Sequence, residues 1–159
     1  MRLNQIKLYA INYGHCHPKK CSCLKLRKFN LIKIVRNVKD LHRKTIILTP
    51  FAEKTIDLDD KDNIKTYGLA VIDCSWNKSK CILRKRFRTG RKLPRLLAAN
   101  PVNYGKWEKL SSVEALAGAL ILTGFSHVAD NLLSKFTWGL SFIDINENFD
   151  RFQNAERGI

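Results

Sequence analysis

Two rhythms of apolar residues divide this chain. Up to about residue 100 the apolar runs are short and break at polar or turn-forming residues, the pattern of strands; beyond it they recur every three or four positions, the pattern of helices. Gln5 to Asn12 (QIKLYAIN) alternates well enough to form a first strand. Ser22 is placed to cap a short helix around Leu24–Lys28. Phe29 to Val38 alternates apolar with basic residues and fits a strand or a short helix equally. Thr45 to Leu48 (TIIL) reads as a buried strand ended by Thr49-Pro50, and Asp57 as the N-cap of a short helix in the polar stretch 53–67. Gly68 to Ile72 (GLAVI) reads as the central strand, with Asp73-Cys74-Ser75-Trp76 at its carboxyl end. Leu96-Leu97-Ala98-Ala99 reads as a further buried strand of a parallel sheet.

Asn100-Pro101 then breaks the chain, and Asn103-Tyr104-Gly105 keeps the loop tight, with a positive φ expected at Gly105. Ser111 stands three residues before Glu114, the reciprocal capping box of a helix start. Val113, Leu116, Ala117, Leu120 and Ile121 give that helix a single apolar face, and Gly124 ends it. Ser126 caps the next helix, which carries Ala129, Leu132, Leu133 and Phe136. A last one, from about Gly139, presents Phe142, Ile145, Phe149 and Phe152, an aromatic stripe that reads as core. The pattern predicts an α/β fold around a parallel sheet. A strand, a crowded loop and a capped helix start are where such folds commonly hold a small ligand.

Composition narrows this. Hydrophobic residues make up 45% and charged residues 27% of the 159, ordinary values for a globular chain able to bury a core. No apolar run reaches membrane-span length and no signal peptide stands at the N-terminus, so a cytoplasmic protein without membrane contact is expected. The charge is +15, and it is unevenly spread: before residue 51 the only acid is Asp40, and RKRFRTGRKLPR at 84–95 is dominated by arginine and lysine. A solvated basic surface would explain either run alone. Two dense runs flanking the motifs favour a nucleic-acid partner.

The five cysteines of a non-secreted chain are not expected to form a disulfide framework, although Cys16 and Cys21 are close enough to close a small loop. His15-Cys16-His17-Pro18-Lys19-Lys20-Cys21-Ser22-Cys23 has the residue types of a zinc site, but Cys21-x-Cys23 is tighter than usual zinc spacing. Small apolar cysteines in a loop are the simpler account, and no metal is expected. The acids at 57, 59, 60 and 62 are explained by a solvated first helical turn. Walker A and G-x-G-x-x-G motifs are absent, which disfavours nucleoside triphosphates and dinucleotides. Asp73 fits two roles equally from its position: a carboxylate capping the following turn, or a partly desolvated general base.

LPRLLAANPVNYG followed by LSSVEALA resembles the small-subunit rRNA aminocarboxypropyltransferase family, ribosome-biogenesis enzymes that use S-adenosylmethionine. Cys21-Ser22 before Leu24-Lys25-Leu26, Leu48-Thr49-Pro50 and Asp73-Cys74-Ser75-Trp76 agree with the same family in the same order, from about His15 to Asn146. The resemblance implies a SPOUT-like fold threaded into a trefoil knot, with an α/β lobe over 1–92 and an all-helical lobe over 93–159. S-adenosylmethionine would lie between the lobes. Ser22 would meet its ribose, Ile72 and Leu93 would offer backbone groups, and Ser112 would lie near the methionine moiety. Trp76 would pack along the aminocarboxypropyl chain. The family's adenine-side aromatic falls at Glu108, and here Trp107 stands one position earlier. Asp73 would act as the base. His17 and Cys23 stand where the family has aspartate and glycine.

The implied reaction moves the 3-amino-3-carboxypropyl group to N3 of an N1-methylpseudouridine or pseudouridine in small-subunit rRNA, and methylthioadenosine leaves. Lys19, Lys20, Lys25, Arg84, Lys85, Arg86, Arg88, Arg91 and Lys92 would hold the rRNA, free or in the pre-ribosomal small subunit, and the protein would act as a monomer. Two other functions fit the same residues: a SPOUT-like RNA methyltransferase, and a non-catalytic rRNA-binding assembly factor.

Overall fold

The structure is a computed structural model and describes residues 5–12, 22–73, 87–106 and 109–147, with the backbone alone at Asn12 and Asp73. Five strands form one parallel sheet: β1 (Leu8–Asn12), β2 (Lys33–Val35), β3 (Ile46–Leu48), β4 (Leu69–Asp73) and β5 (Gly90–Arg91), in the order β2-β1-β4-β3-β5. The central strand is β4, as its apolar run predicts. Phe29 to Val38 resolves into β2 followed by a 3-10 turn at Val38–Asp40, which Asn37 caps through Lys39 N–H.

Parallel strands need crossovers that cover both faces, so their side chains are apolar on both sides. Leu69 and Val71 of β4 point into the larger cluster with Leu8, Ala10, Ile46 and Leu48, while Ala70 and Ile72 point the other way with Ile11, Val35 and Ile47. On the first face pack α1 (Ser22–Lys28), α2 (Lys61–Tyr67), α3 (Ser112–Leu122), α4 (Ser126–Leu133) and Phe142 of α5 (Ser141–Glu147). On the second, among the described residues, lie only Tyr9, Val38, Leu41 and Phe87. The larger cluster runs without a break from sheet residues before position 92 to helices after it.

The helix starts carry their signals, with shifts of a residue. Asp57 caps a 3-10 turn at Leu58–Asp60, accepting from Asp59 N–H, and α2 follows at once. Ser22 and Ser126 are the first helical residues, not caps. The box at α3 is as expected, with Ser111 and Glu114 satisfying each other's N–H groups. Gly124 closes α3 at φ +88°, with Gly124 N–H donating to Ile121 O and Phe125 N–H to Leu120 O, a Schellman end.

Two expectations change. The helix α3 has no single apolar face: Glu114, Gly118, Ala119 and Leu122 are buried along with Val113, Leu116, Ala117 and Leu120, because strand β4, α1 and α4 surround it. The run Leu96–Ala99 is buried as expected, but among the described residues it joins no strand of the sheet. Ala98 pairs with the backbone of Gly105 and Lys106, and side chains meet the residues on either side of it. Asn146, fully buried, accepts from Leu97 N–H at 2.8 Å and donates to Leu97 O at 3.0 Å, so its amide pairs with that residue on both sides. Glu114, also fully buried, accepts from Ala99 N–H at 2.6 Å.

Candidate functional site at the sheet's carboxyl edge

The topology singles out one place. Strands β1 and β4 are neighbours, with Asn12 opposite Asp73 at their carboxyl ends. From β1 the chain crosses outward to β2, and from β4 it crosses the other way, past β3 to β5. Loops leaving neighbouring strands in opposite directions leave a crevice between them, the usual ligand position of an open α/β sheet. Asp73 ends β4 at that point.

Two helices begin there. The helix α1 follows the loop from β1, so its first turn faces the same edge, and Ser22 Oγ accepts from Val113 N–H at 3.4 Å. That contact joins residues 91 positions apart and sets Ser22 beside the first turn of α3, where Ser112 is the first helical residue. Ser22 and Ser112 are both half-buried, and Ile72 is almost wholly buried one residue before Asp73. Leu93, two residues beyond β5, packs partly buried against the larger cluster. Two hydroxyls stand at the start of an eleven-residue helix here, a setting that suits a small polar ligand. Trp76, Trp107, Glu108 and the Asp73 side chain lie outside the described residues, as do His15, Cys16, His17 and Cys21.

The loop that enters α3 is held from beneath. Glu114 Oε1 accepts from Asn100 Nδ2 at 2.6 Å, from Ser111 N–H at 2.9 Å and from Ser111 Oγ at 2.9 Å. Together with Ala99 N–H on the other oxygen, one buried carboxylate ties both ends of the 100–111 loop. Asn100 adds a bond to Lys109 O at 3.2 Å. The capping box foreshadows one end of this arrangement. The other end, and Asn146 altogether, carry one weak signal each: a glutamate inside an all-apolar helix, and an asparagine four residues after Phe142 on a face that should be apolar.

Among the cations expected to hold RNA, Lys25 is exposed, with its Nζ 4.6 Å from the Phe136 ring centre, and Arg88 is exposed. Lys92 is half-buried, and its backbone bonds Lys54 O and Ile56 N–H at the sheet edge. Arg91 works inside the fold: its Nε donates to both oxygens of buried Asp60 at 3.0 and 3.2 Å, and its Nη1 donates to Gly90 O. Lys19, Lys20, Arg84, Lys85 and Arg86 lie outside the described residues. Cys23 is a core residue. Among the described residues no three of His, Cys, Asp and Glu are grouped to hold a metal, and no helix is long and apolar enough to cross a membrane.

Residues 46–158 match the family described as "Ribosome biogenesis protein, C-terminal", and residues 6–40 match a possible Fer4-like domain in RNase L inhibitor. The 16S rRNA aminocarboxypropyltransferase of Methanocaldococcus jannaschii is 37% identical over 155 residues, 96% of this chain and 90% of the relative. That of Thermoplasma volcanium is 48% identical over 151 residues, 94% of this chain and 91% of the relative. The solved SAM-dependent rRNA:acp-transferase Tsr3 from Vulcanisaeta distributa superposes with a TM-score of 0.89 at 32% identity, over 97% of this chain and 84% of that one. Matched along nearly its whole length in sequence and in fold, the chain belongs to the 16S rRNA aminocarboxypropyltransferase family.

Proposed function

We propose that this chain transfers the 3-amino-3-carboxypropyl group of S-adenosylmethionine to N3 of a pseudouridine, or its N1-methyl form, in small-subunit rRNA. The observation that supports this is that β4 ends at the switch point with Asp73, the first residue of the family's Asp73-Cys74-Ser75-Trp76 block, and that α3 packs against β4. S-adenosylmethionine supplies a sulfonium with three electrophilic carbons, and the enzyme chooses among them by which one faces the nucleophile. Ser22 and Ser112 hold the ribose and the methionine end, the backbones of Ile72 and Leu93 line the base side, and Trp107 or Glu108 borders the adenine. Trp76 packs along the transferred chain and keeps the methyl turned away. The N3 lone pair attacks Cγ, the Cγ–S bond breaks towards sulfur, and methylthioadenosine leaves. Asp73 takes the N3 proton.

The phosphate contacts fall to Lys19, Lys20, Lys25, Arg84, Lys85, Arg86, Arg88 and Lys92, since Asp60 engages Arg91. A SPOUT-like, knotted chain with an α/β lobe over 1–92 and a helical lobe over 93–159 is part of the same proposal. A monomeric cytoplasmic enzyme acting on the pre-ribosomal subunit completes the proposal.

Two cofactor samples test it, one labelled in the methyl and one in the carboxyl carbon, with unmodified small-subunit rRNA as acceptor. Carboxyl label in the RNA, with methyl label leaving as methylthioadenosine, is expected. Methyl label in the RNA would make the protein a methyltransferase. RNA binding with neither label transferred would make it an assembly factor.

A further inference from the structure

Among the described residues six large apolar side chains stand out into solvent, and the two most exposed, Val102 at 81% and Tyr104 at 63%, share one short loop. Single exposed apolar residues are ordinary on a protein surface. This pair differs in the stiffness of what carries it. Asn100 Oδ1 accepts from Asn103 N–H at 3.0 Å, and Lys106 N–H donates to Asn103 O at 3.0 Å. The base is sealed by Gly105 N–H to Ala98 O at 2.7 Å and Ala98 N–H to Lys106 O at 3.0 Å, with Gly105 turning the chain at φ +76°. Beneath, Glu114 grips Ala99 and Asn100. The loop therefore cannot fold its apolar tip back onto the core without breaking several of these bonds. Exposed Lys106 and Lys109 flank it, and through Asn100 and Glu114 it is fixed to the start of α3 beside the switch point.

We propose that this loop is a contact for the RNA substrate, with Tyr104 stacking on an unpaired nucleobase while Lys106 and Lys109 meet phosphates. It rests on the rRNA reading above. An exposed aromatic ring beside cations is how proteins hold single-stranded RNA, because every base offers a π-face and every nucleotide a charge. The net charge of +15 draws a polyanion to this surface. A loop already rigid loses little freedom on binding, so the stacking energy is kept as affinity.

The experiment measures affinity for in-vitro-transcribed small-subunit rRNA across a salt series, alongside calorimetric affinity for S-adenosylmethionine, on the full chain. Tyr104→Ala should weaken RNA binding about 5- to 100-fold, the scale of one lost base–aromatic stack. Stacking releases no counterions, so the log–log salt slope should stay as in the wild type, whereas Lys106→Ala should lower it by about one unit. Tyr104→Phe should restore most of the affinity, and S-adenosylmethionine binding should not change in any variant. Equal RNA affinity for Tyr104→Ala and wild type overturns the proposal, as does a loss of S-adenosylmethionine affinity in that variant, which would put the ring in the cofactor pocket. A wild type that binds S-adenosylmethionine but not rRNA would remove the rRNA reading itself along with this contact.

Discussion

Replacing Asn146 with alanine should cost this protein a large part of its stability, although the residue touches no ligand. Its amide makes three bonds: from Leu97 N–H at 2.8 Å, to Leu97 O at 3.0 Å and to Phe142 O at 2.7 Å. The side chain is fully buried and Leu97 nearly so, and water has little access to the groups left behind. Each orphaned buried backbone group costs about 1–3 kcal/mol, so leaving both groups of Leu97 without a partner should cost about 2–6 kcal/mol. Against a typical net stability of about 5–15 kcal/mol that is about a seventh at the least and more than half for a marginal fold. At this chain length it corresponds to a fall in Tm of about 4–24 °C. Urea unfolding followed by far-UV circular dichroism measures it, with the slope against denaturant unchanged. Asn146→Leu separates packing from hydrogen bonding, since it fills the space but satisfies neither group. A loss under about 1 kcal/mol in Asn146→Ala, within reach of an ordinary surface change, would refute the argument. So would near-complete recovery in Asn146→Leu.

Four other substitutions probe the rest of the frame. Glu114→Gln keeps shape but puts an NH₂ where one of four donors needs an acceptor, so stability should drop by about 1.5–3 kcal/mol, measured by the same urea titration. In Gly139→Ala the new methyl would press into the Leu133 carbonyl, and a loss of at least about 2 kcal/mol is expected by calorimetry. Arg91→Ala strands the buried Asp60 carboxylate and should cost about 2–4 kcal/mol, less than a wholly buried pair because Arg91 keeps 13% exposure; a double-mutant cycle with Asp60→Asn should show coupling above about 1 kcal/mol. Asp73→Asn cannot take a proton, so turnover should fall about 10²–10⁴-fold while S-adenosylmethionine still binds; normal turnover would leave Asp73 as a turn cap.

Local signals carried most of the fold. The apolar runs at 46–48 and 69–72 and the Ser111–Glu114 box are short-range statements, and each is found where the sequence puts it. Leu96–Ala99 is legible as buried, but the partner of Leu97 is not, because an apolar run reports burial and says nothing of what meets its backbone. That partner is a side chain 49 positions away. Arg91 shows the same limit from the other side: a run of basic residues looks uniform, and only the fold brings Asp60 to one member of it. At the candidate site, Ser22 and Ser112 came from the family's motifs, and their approach through Val113 depends on a contact across 91 residues that no local pattern encodes.

The side-chain pairing of the 96–100 segment also sets an order of assembly. A strand can recruit its neighbour's backbone as soon as the two meet, but Leu97 waits for an amide borne on the last described helix. Until α5 docks, burying this segment would strand two polar groups, so it should stay hydrated while the sheet around β4 is already formed. During synthesis that delay lasts until the chain has been made past residue 146, while the loop that follows the segment can already be tied to α3 through Glu114. In refolding, protection of the Leu97 amide from hydrogen exchange should lag behind that of Ala70 and Val71. A chain cut short before α5 should thus hold a folded sheet with the Leu97 backbone still open to water.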